Sequence, residues 1–189
     1  SSDLSILIQQ EDSLELINLL KRGLAPVHVL GPVIHQNRFD LLTRILRFSV
    51  IPEDILHTCL DANQTDIYLY LWQEMFLRGQ VLLPTRLTLE RLIRSDQQRI
   101  LNCLEGYLRE NKLIQPEHFA LVVDPPNPRM LEYLLTFRKD IPFHVLQDLV
   151  NQSDHKMTRL LSKYEVPISD RQCQILEELF SLETFHEQD

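Results

Sequence analysis

Six prolines mark this chain at nearly regular intervals. They fall at 26, 52, 84, 116, 142 and 167, with spacings of 26, 32, 32, 26 and 25 residues. After each of the first five comes a short run in which apolar residues recur every three or four positions. A polar break rich in Asn, Asp, Gln or Ser follows, and then a second run of the same kind. Self-similarity at a period of roughly 20–50 residues is the mark of a repeat architecture, and an apolar recurrence of three and four is the buried stripe of a helix. The chain therefore reads as a string of helical hairpins.

The register persists from unit to unit. Counting from each proline, positions +15, +18 and +19 are Ile67, Tyr70 and Leu71 in one unit, Leu131, Leu134 and Leu135 in another, and Met157, Leu160 and Leu161 in a third. In the Pro26 unit the stripe is displaced by about one residue, to Leu42, Ile45 and Leu46; in the Pro84 unit it is Ile100, Leu101 and Leu104. Proline suits a first helical turn, where its missing N–H costs nothing. The polar breaks offer N-caps for the second helices: Asn37, Thr65 or Asp66, Ser95 or Asp96, Asn127, and Ser153 or Asp154. Hairpins this short cannot bury their apolar faces alone, so neighbours must share a continuous core. The fold expected is all-α: a right-handed-type solenoid of about six to seven short helix-turn-helix repeats. It would occupy 1–189 as a single α-solenoid domain, with units at about 3–25, 26–51, 52–83, 84–115, 116–141 and 142–166 and a terminal helix over 167–185. The leucine stripes are core.

Three units open with Pro-x-His: Pro26-Val27-His28, Pro116-Glu117-His118 and Pro142-Phe143-His144. Two second helices close with Leu19-Leu20-Lys21-Arg22-Gly23 and Phe76-Leu77-Arg78-Gly79. In these residues the chain resembles ankyrin repeats in a degenerate form, with connectors too short for the family's β-hairpin finger. The pattern is also similar to other helical-hairpin arrays, including the C-terminal arms of trafficking and tethering subunits. Either resemblance implies a binding scaffold. The ankyrin resemblance further implies a structural role for the three histidines, bonding to nearby backbone.

Charge narrows the partners. A net −8 disfavours nucleic acid and anionic membranes as bulk electrostatic targets. A nucleic-acid role would require Arg44, Arg47, Arg91, Arg94, Arg99 and Arg109 to gather on one face. No apolar run is long enough for a membrane span. The three cysteines Cys59, Cys103 and Cys173 lie far apart, which reads as reduced, buried thiols in an intracellular protein, cytoplasmic or nuclear.

No catalytic motif, metal-ligand spacing or cofactor loop stands in the sequence, so no enzyme activity, metal or cofactor is expected. His57 and Cys59, two apart, point to different helix faces. The partner expected is another protein. The strongest candidate surface lies in the run Ile67–Leu77, apolar on nearly every face, where Tyr68, Trp72 and Phe76 are residue types common at interface hot spots. The alternative is that the loop at Gly79–Leu83 covers it. A second candidate is the face of the first helices, contributed by Arg86, Glu90, Glu117 and Gln147. The apolar run Leu4–Ile8 offers an end for end-to-end self-association. The function expected is a protein–protein interaction module or scaffold within a larger protein. The alternatives are a solenoid arm of a trafficking or tethering complex and a pathogen effector domain binding a host protein.

Overall fold

The computed structural model describes residues 2–10, 14–47, 49–80, 83–152, 154–175 and 177–178. It is all-helical, with no strand among the described residues. The chain divides into two compact units, Ser1–Pro84 and Thr85–Asp189, and the division falls at a repeat boundary.

The first unit contains α1 (Ser2–Gln9), α2 (Leu14–Lys21), α3 (Val27–His35), α4 (Phe39–Ile45), α5 (Ile55–Asp61) and α6 (Thr65–Leu77). They pack as the pairs α1–α2, α3–α4 and α5–α6, and first helix meets first helix between pairs, α1 on α3 and α3 on α5. The second unit contains α7 (Arg86–Arg94), α8 (Gln98–Glu110), a 3₁₀ segment (Pro116–Val122), α9 (Pro128–Leu135), α10 (Phe143–Asn151) and α11 (His155–Lys163). Here the pairs are α7–α8, the 3₁₀ segment with α9, and α10–α11. Between pairs, α7 meets the 3₁₀ segment and α9 meets α11. Helix resumes over 170–175, where Ser169 and Gln172 bond each other's backbone ends. The rest of the expected terminal helix, beyond 178, lies outside the described residues.

The stripes expected from the repeat are the core. Leu42, Ile45, Leu46, Ile67, Leu71, Ile100, Leu101, Leu104, Leu131, Leu134, Leu135, Met157 and Leu161 are all buried, while Tyr70 and Leu160 are half-buried. In α6 the buried set is Ile67, Tyr68, Leu71 and Met75.

The hairpin turns differ from expectation in a consistent way. Asn37, Asn63 and Asp96 have φ of 55°, 54° and 57° and end the first helices instead of starting the second. The next residue in each case reaches back five positions with its backbone N–H: Arg38 to Val33 O, Gln64 to Cys59 O and Gln97 to Leu92 O, at 2.9–3.1 Å. This is the Schellman closure, in which a left-handed residue lets the chain satisfy the last carbonyls of a helix. Asn and Asp tolerate that conformation better than most side chains. The same closure ends second helices at Gly23, Gly79, Lys112 and Glu165. Asn37 and Asp96 are therefore C-terminal caps, because the left-handed turn leaves only Arg38 or Gln97 before the next helix begins. Ser95 likewise ends α7, and Thr65 and Asp66 lie within α6 behind an N-cap at Gln64. Asn127 and Asp154 are N-caps as expected, accepting from Met130 N–H at 3.1 Å and from Lys156 and Met157 N–H at 3.0 and 3.2 Å. Ser153 lies outside the described residues.

The prolines sit at or just ahead of the helix starts. Pro26 and Pro142 hold the N-cap position, Pro116 stands at the start of the 3₁₀ segment, and Pro84 precedes the N-cap Thr85, whose hydroxyl accepts from Thr88 N–H at 3.2 Å. The Pro116 run is 3₁₀ where α-helix was expected. Asp124-Pro125-Pro126 closes it within a few residues, and each residue before a proline is pushed out of the α region.

Within each unit, side chains bind a hairpin to the one before it. Arg38 donates to Ile8 O and Gln10 O, Arg78 to Leu46 O at 2.8 Å and Ser49 O at 2.9 Å, and Gln80 to Ile51 O at 3.1 Å. In the second unit Arg138 donates to Ile114 O at 2.9 Å and Gln152 to Val123 O at 3.1 Å, while Lys163 and Tyr164 meet Glu132 at 2.7 and 2.9 Å. These partners are 24–32 residues apart, one repeat length. The acceptors are mostly carbonyls at helix ends or in turns, which have no partner within their own helix.

Candidate functional site

The candidate surface on α6 is smaller than its sequence suggests. Tyr68 is only 2% exposed, and burial pushes its phenol up to about 12. It belongs to the core, because α6 buries the arc 67, 68, 71 and 75. Trp72 is half-buried and Phe76 is 49% exposed; their rings lie nearly parallel, 6.2 Å apart. Leu77, the next residue along the chain, is 70% exposed. Phe39 and Tyr70 form a separate edge-to-face pair at 4.8 Å. Of the loop that could have covered Trp72, residues 81 and 82 lie outside the described residues, and Gln80 is bonded to Ile51 O on the preceding hairpin.

The second candidate surface is quiet. Arg86 and Glu90 bond each other at 3.1 Å across one turn of α7, Arg86 with its side chain 76% exposed. Such a pair stabilises a helix by about 0.3–0.5 kcal/mol and needs no further role. Glu117 and Gln147 are exposed. At the N-terminal run, Ile8 is buried and Ile6 exposed.

Of the three Pro-x-His histidines, His118 is buried and His28 and His144 are exposed. His118 Nδ1 accepts the Gln115 N–H at 2.8 Å, and the Gln115 side chain accepts the His118 N–H, a reciprocal capping box. An accepting Nδ1 requires the neutral ring. Burial holds His118 below the ordinary histidine value, with Arg86 and Arg138 acting in the same direction and Glu117 and Glu90 against it. Cys59 is fully buried and burial pushes its thiol up to about 12, while His57 is exposed on another face of α5; of the cysteines expected to be buried, Cys103 is exposed on α8 and Cys173 half-buried.

One feature of the second unit carries no sequence signal. A cleft of about 380 Å³ opens where the end of α8 meets the end of α9, lined by Leu108, Arg109, Lys112, Ile114, Phe137 and Arg138. Arg109 lies over the Phe137 ring at 4.2 Å, donates to Glu105 at 2.9 Å and to Thr136 O at 3.1 Å. Arg138 is forked onto Asp140 and anchored on Ile114 O, and the fork holds Asp140 below the usual carboxylate range. Lys112 stands exposed at the turn between them, at φ 50°. Behind Phe137, the Tyr133 ring packs edge-on at 5.2 Å, and its buried hydroxyl has no hydrogen-bond partner among the described residues. The lining residues lie up to 30 positions apart in sequence, which is why only the folded chain brings them together.

Comparison with protein families, with curated proteins and with solved structures found no match to this chain. Among the described residues no helix is long and apolar enough to cross a membrane, and no group of three or more His, Cys, Asp or Glu could hold a metal ion.

Proposed function

We propose that this chain is a helical-repeat binding module that docks another protein through the exposed end of α6. Supporting the repeat reading, like helices stack in consecutive hairpins within each unit, and the ties between hairpins recur at one repeat length. Each unit is then a short α-solenoid of the kind its proline pattern implies, and the resemblance carried by its Pro-x-His openings makes it a finger-less, ankyrin-like array. The observation that carries the docking site is the Trp72–Phe76–Leu77 surface. Phe76, 49% exposed, stacks on the half-buried Trp72, and the adjacent Leu77 is 70% exposed, on a helix whose core arc is already filled. Burying such side chains contributes about 25 cal/mol per Å² of apolar area, and aromatic anchors of this kind dominate interface energetics.

The test is affinity purification from source-cell lysate with mass spectrometry, followed by reconstitution from purified components, comparing the wild type with Phe76→Ala/Leu77→Ala. Both residues are largely exposed, so the variant is expected to stay folded. A partner whose affinity falls at least about tenfold in the variant supports the reading. Trp72 is the chain's one tryptophan, so its emission should shift to the blue when that partner docks. A reconstituted partner that binds both proteins equally and leaves Trp72 emission unchanged would overturn the α6 site.

A further inference from the structure

The cleft between the ends of α8 and α9 goes beyond that reading, since neither of its walls belongs to α6. We propose that it is a second docking site, for a short acidic peptide segment carrying an apolar side chain. Its lining gives three cations, Arg109, Lys112 and Arg138, around an apolar floor of Leu108, Ile114 and Phe137. Glu105 and Asp140 pair with two of these cations, so three positive charges less two negative leave a net of +1, carried by Lys112, in a chain of net −8.

The donors are already in place. Glu105 and Asp140 hold the two guanidinium groups through Nε and Nη2, and the backbone carbonyls of Thr136 and Ile114 take Nη1. A guanidinium has five N–H donors, so each keeps at least one for a ligand. The Lys112 carbonyl accepts from Gln115 Nε2 and its backbone N–H donates to Arg109 O, but its ammonium has no hydrogen-bond or ion-pair partner among the described residues and supplies three more N–H donors. Because Arg109 and Arg138 are fixed by these bonds and by the Phe137 ring, little side-chain entropy remains to be lost on binding.

Size and charge choose the occupant. About 380 Å³ is near the lower limit of ligand pockets and admits one or two side chains, not a folded surface. An aspartate or glutamate beside a leucine or phenylalanine would set its carboxylate among the cations and its neighbour on Phe137. An anionic membrane does not fit, because the chain's overall negative charge would be brought against it.

The probe is a fluorescein-labelled hexapeptide of sequence Asp-Glu-Phe-Asp-Glu-Leu, with a control in which each acid is lysine, read by fluorescence anisotropy on the purified full chain. The acidic peptide is expected to bind and the lysine control not to. Its affinity is expected to fall as salt rises from about 0.05 M to about 0.3 M. Lys112→Glu is expected to weaken binding at least about tenfold, an outcome that tests the added repulsion as well as the lost cation. The variant should fold, because Glu165 already occupies the same turn position at φ 54°. Equal binding of the lysine peptide, unchanged binding by Lys112→Glu, or no binding at about millimolar concentration would each overturn the proposal. So would displacement of the peptide by inorganic phosphate at equal concentration, which would mark a small-anion site instead. Phe76→Ala/Leu77→Ala should bind the peptide normally; loss there would place the peptide on α6 and overturn the assignment. The peptide assay needs no natural partner, so its failure leaves the α6 reading standing, and the reverse holds.

Discussion

Protonating His118 is expected to weaken the second unit. In the native chain its Nδ1 accepts the Gln115 N–H at 2.8 Å, and the ring is 3% exposed. Placing a proton on Nδ1 turns the acceptor into a donor facing another donor and buries a charge. The folded histidine is held below the ordinary value of 6.5 while the unfolded one is not. The stability it confers is thus fully present above about 6.5 and is lost as pH falls through that value towards the folded one. Losing a cap costs about 1 kcal/mol, and an unsatisfied buried donor adds about 1–3 kcal/mol where water cannot reach it. Together these come to about 2–4 kcal/mol, but linkage to an unfolded histidine of ordinary value caps what has been lost by pH 5 at about 2 kcal/mol, so a loss of about 1–2 kcal/mol between pH values of roughly 8 and 5 is expected. His118→Gln is the informative variant, because glutamine at the third helical position is the usual capping-box acceptor and does not titrate. It should cost about 1 kcal/mol at the higher pH through the change of shape. His118→Ala should cost about 2–3 kcal/mol by removing both cap and ring. Urea unfolding followed by far-UV circular dichroism gives these differences, while Trp72 emission follows the first unit as an internal control. The other histidines cancel in the comparison of wild type with His118→Gln. If both proteins lose the same stability on acidification, the capping-box argument fails.

Two further outcomes follow from the turns and the core. Tyr133→Phe removes the buried hydroxyl that lacks a partner and is expected to raise stability by about 1 kcal/mol, read as a higher midpoint in urea; a loss would show that the hydroxyl is satisfied in solution. Glu165→Gly relieves a left-handed non-glycine residue at φ 54° and is expected to stabilise by about 0.5–1 kcal/mol; a lower melting temperature would contradict the Schellman assignment there.

The hairpins and their core were legible because periodicity depends only on burial. Thirteen expected stripe residues are buried, from Leu42 to Leu161, and the turns fall at the polar breaks. The chemistry of those turns was less legible. Asn and Asp favour both an N-cap and a left-handed helix end, so Asn37 and Asp96 pointed either way until the backbone was known. Tyr68 was misplaced for a related reason. A helix apolar all round offers no polar face to orient the wheel, and its core arc at 67, 68, 71 and 75 became visible only through packing. The cleft was invisible because arginines read as surface charge. Nothing local indicates that Arg109 lies on a phenylalanine 28 residues away or that Arg138 anchors on a carbonyl 24 residues back.

The ties between hairpins have a direction. At Arg38, Arg78, Gln80, Arg138 and Gln152 the donor belongs to a later hairpin and the carbonyl to an earlier one; Arg109, reaching forward to Thr136, runs the other way. During synthesis each new hairpin would thus emerge to find its acceptors already fixed in a finished neighbour. Such a chain can be assembled from its N-terminal end within each unit, one hairpin at a time, with little need to wait for distant sequence.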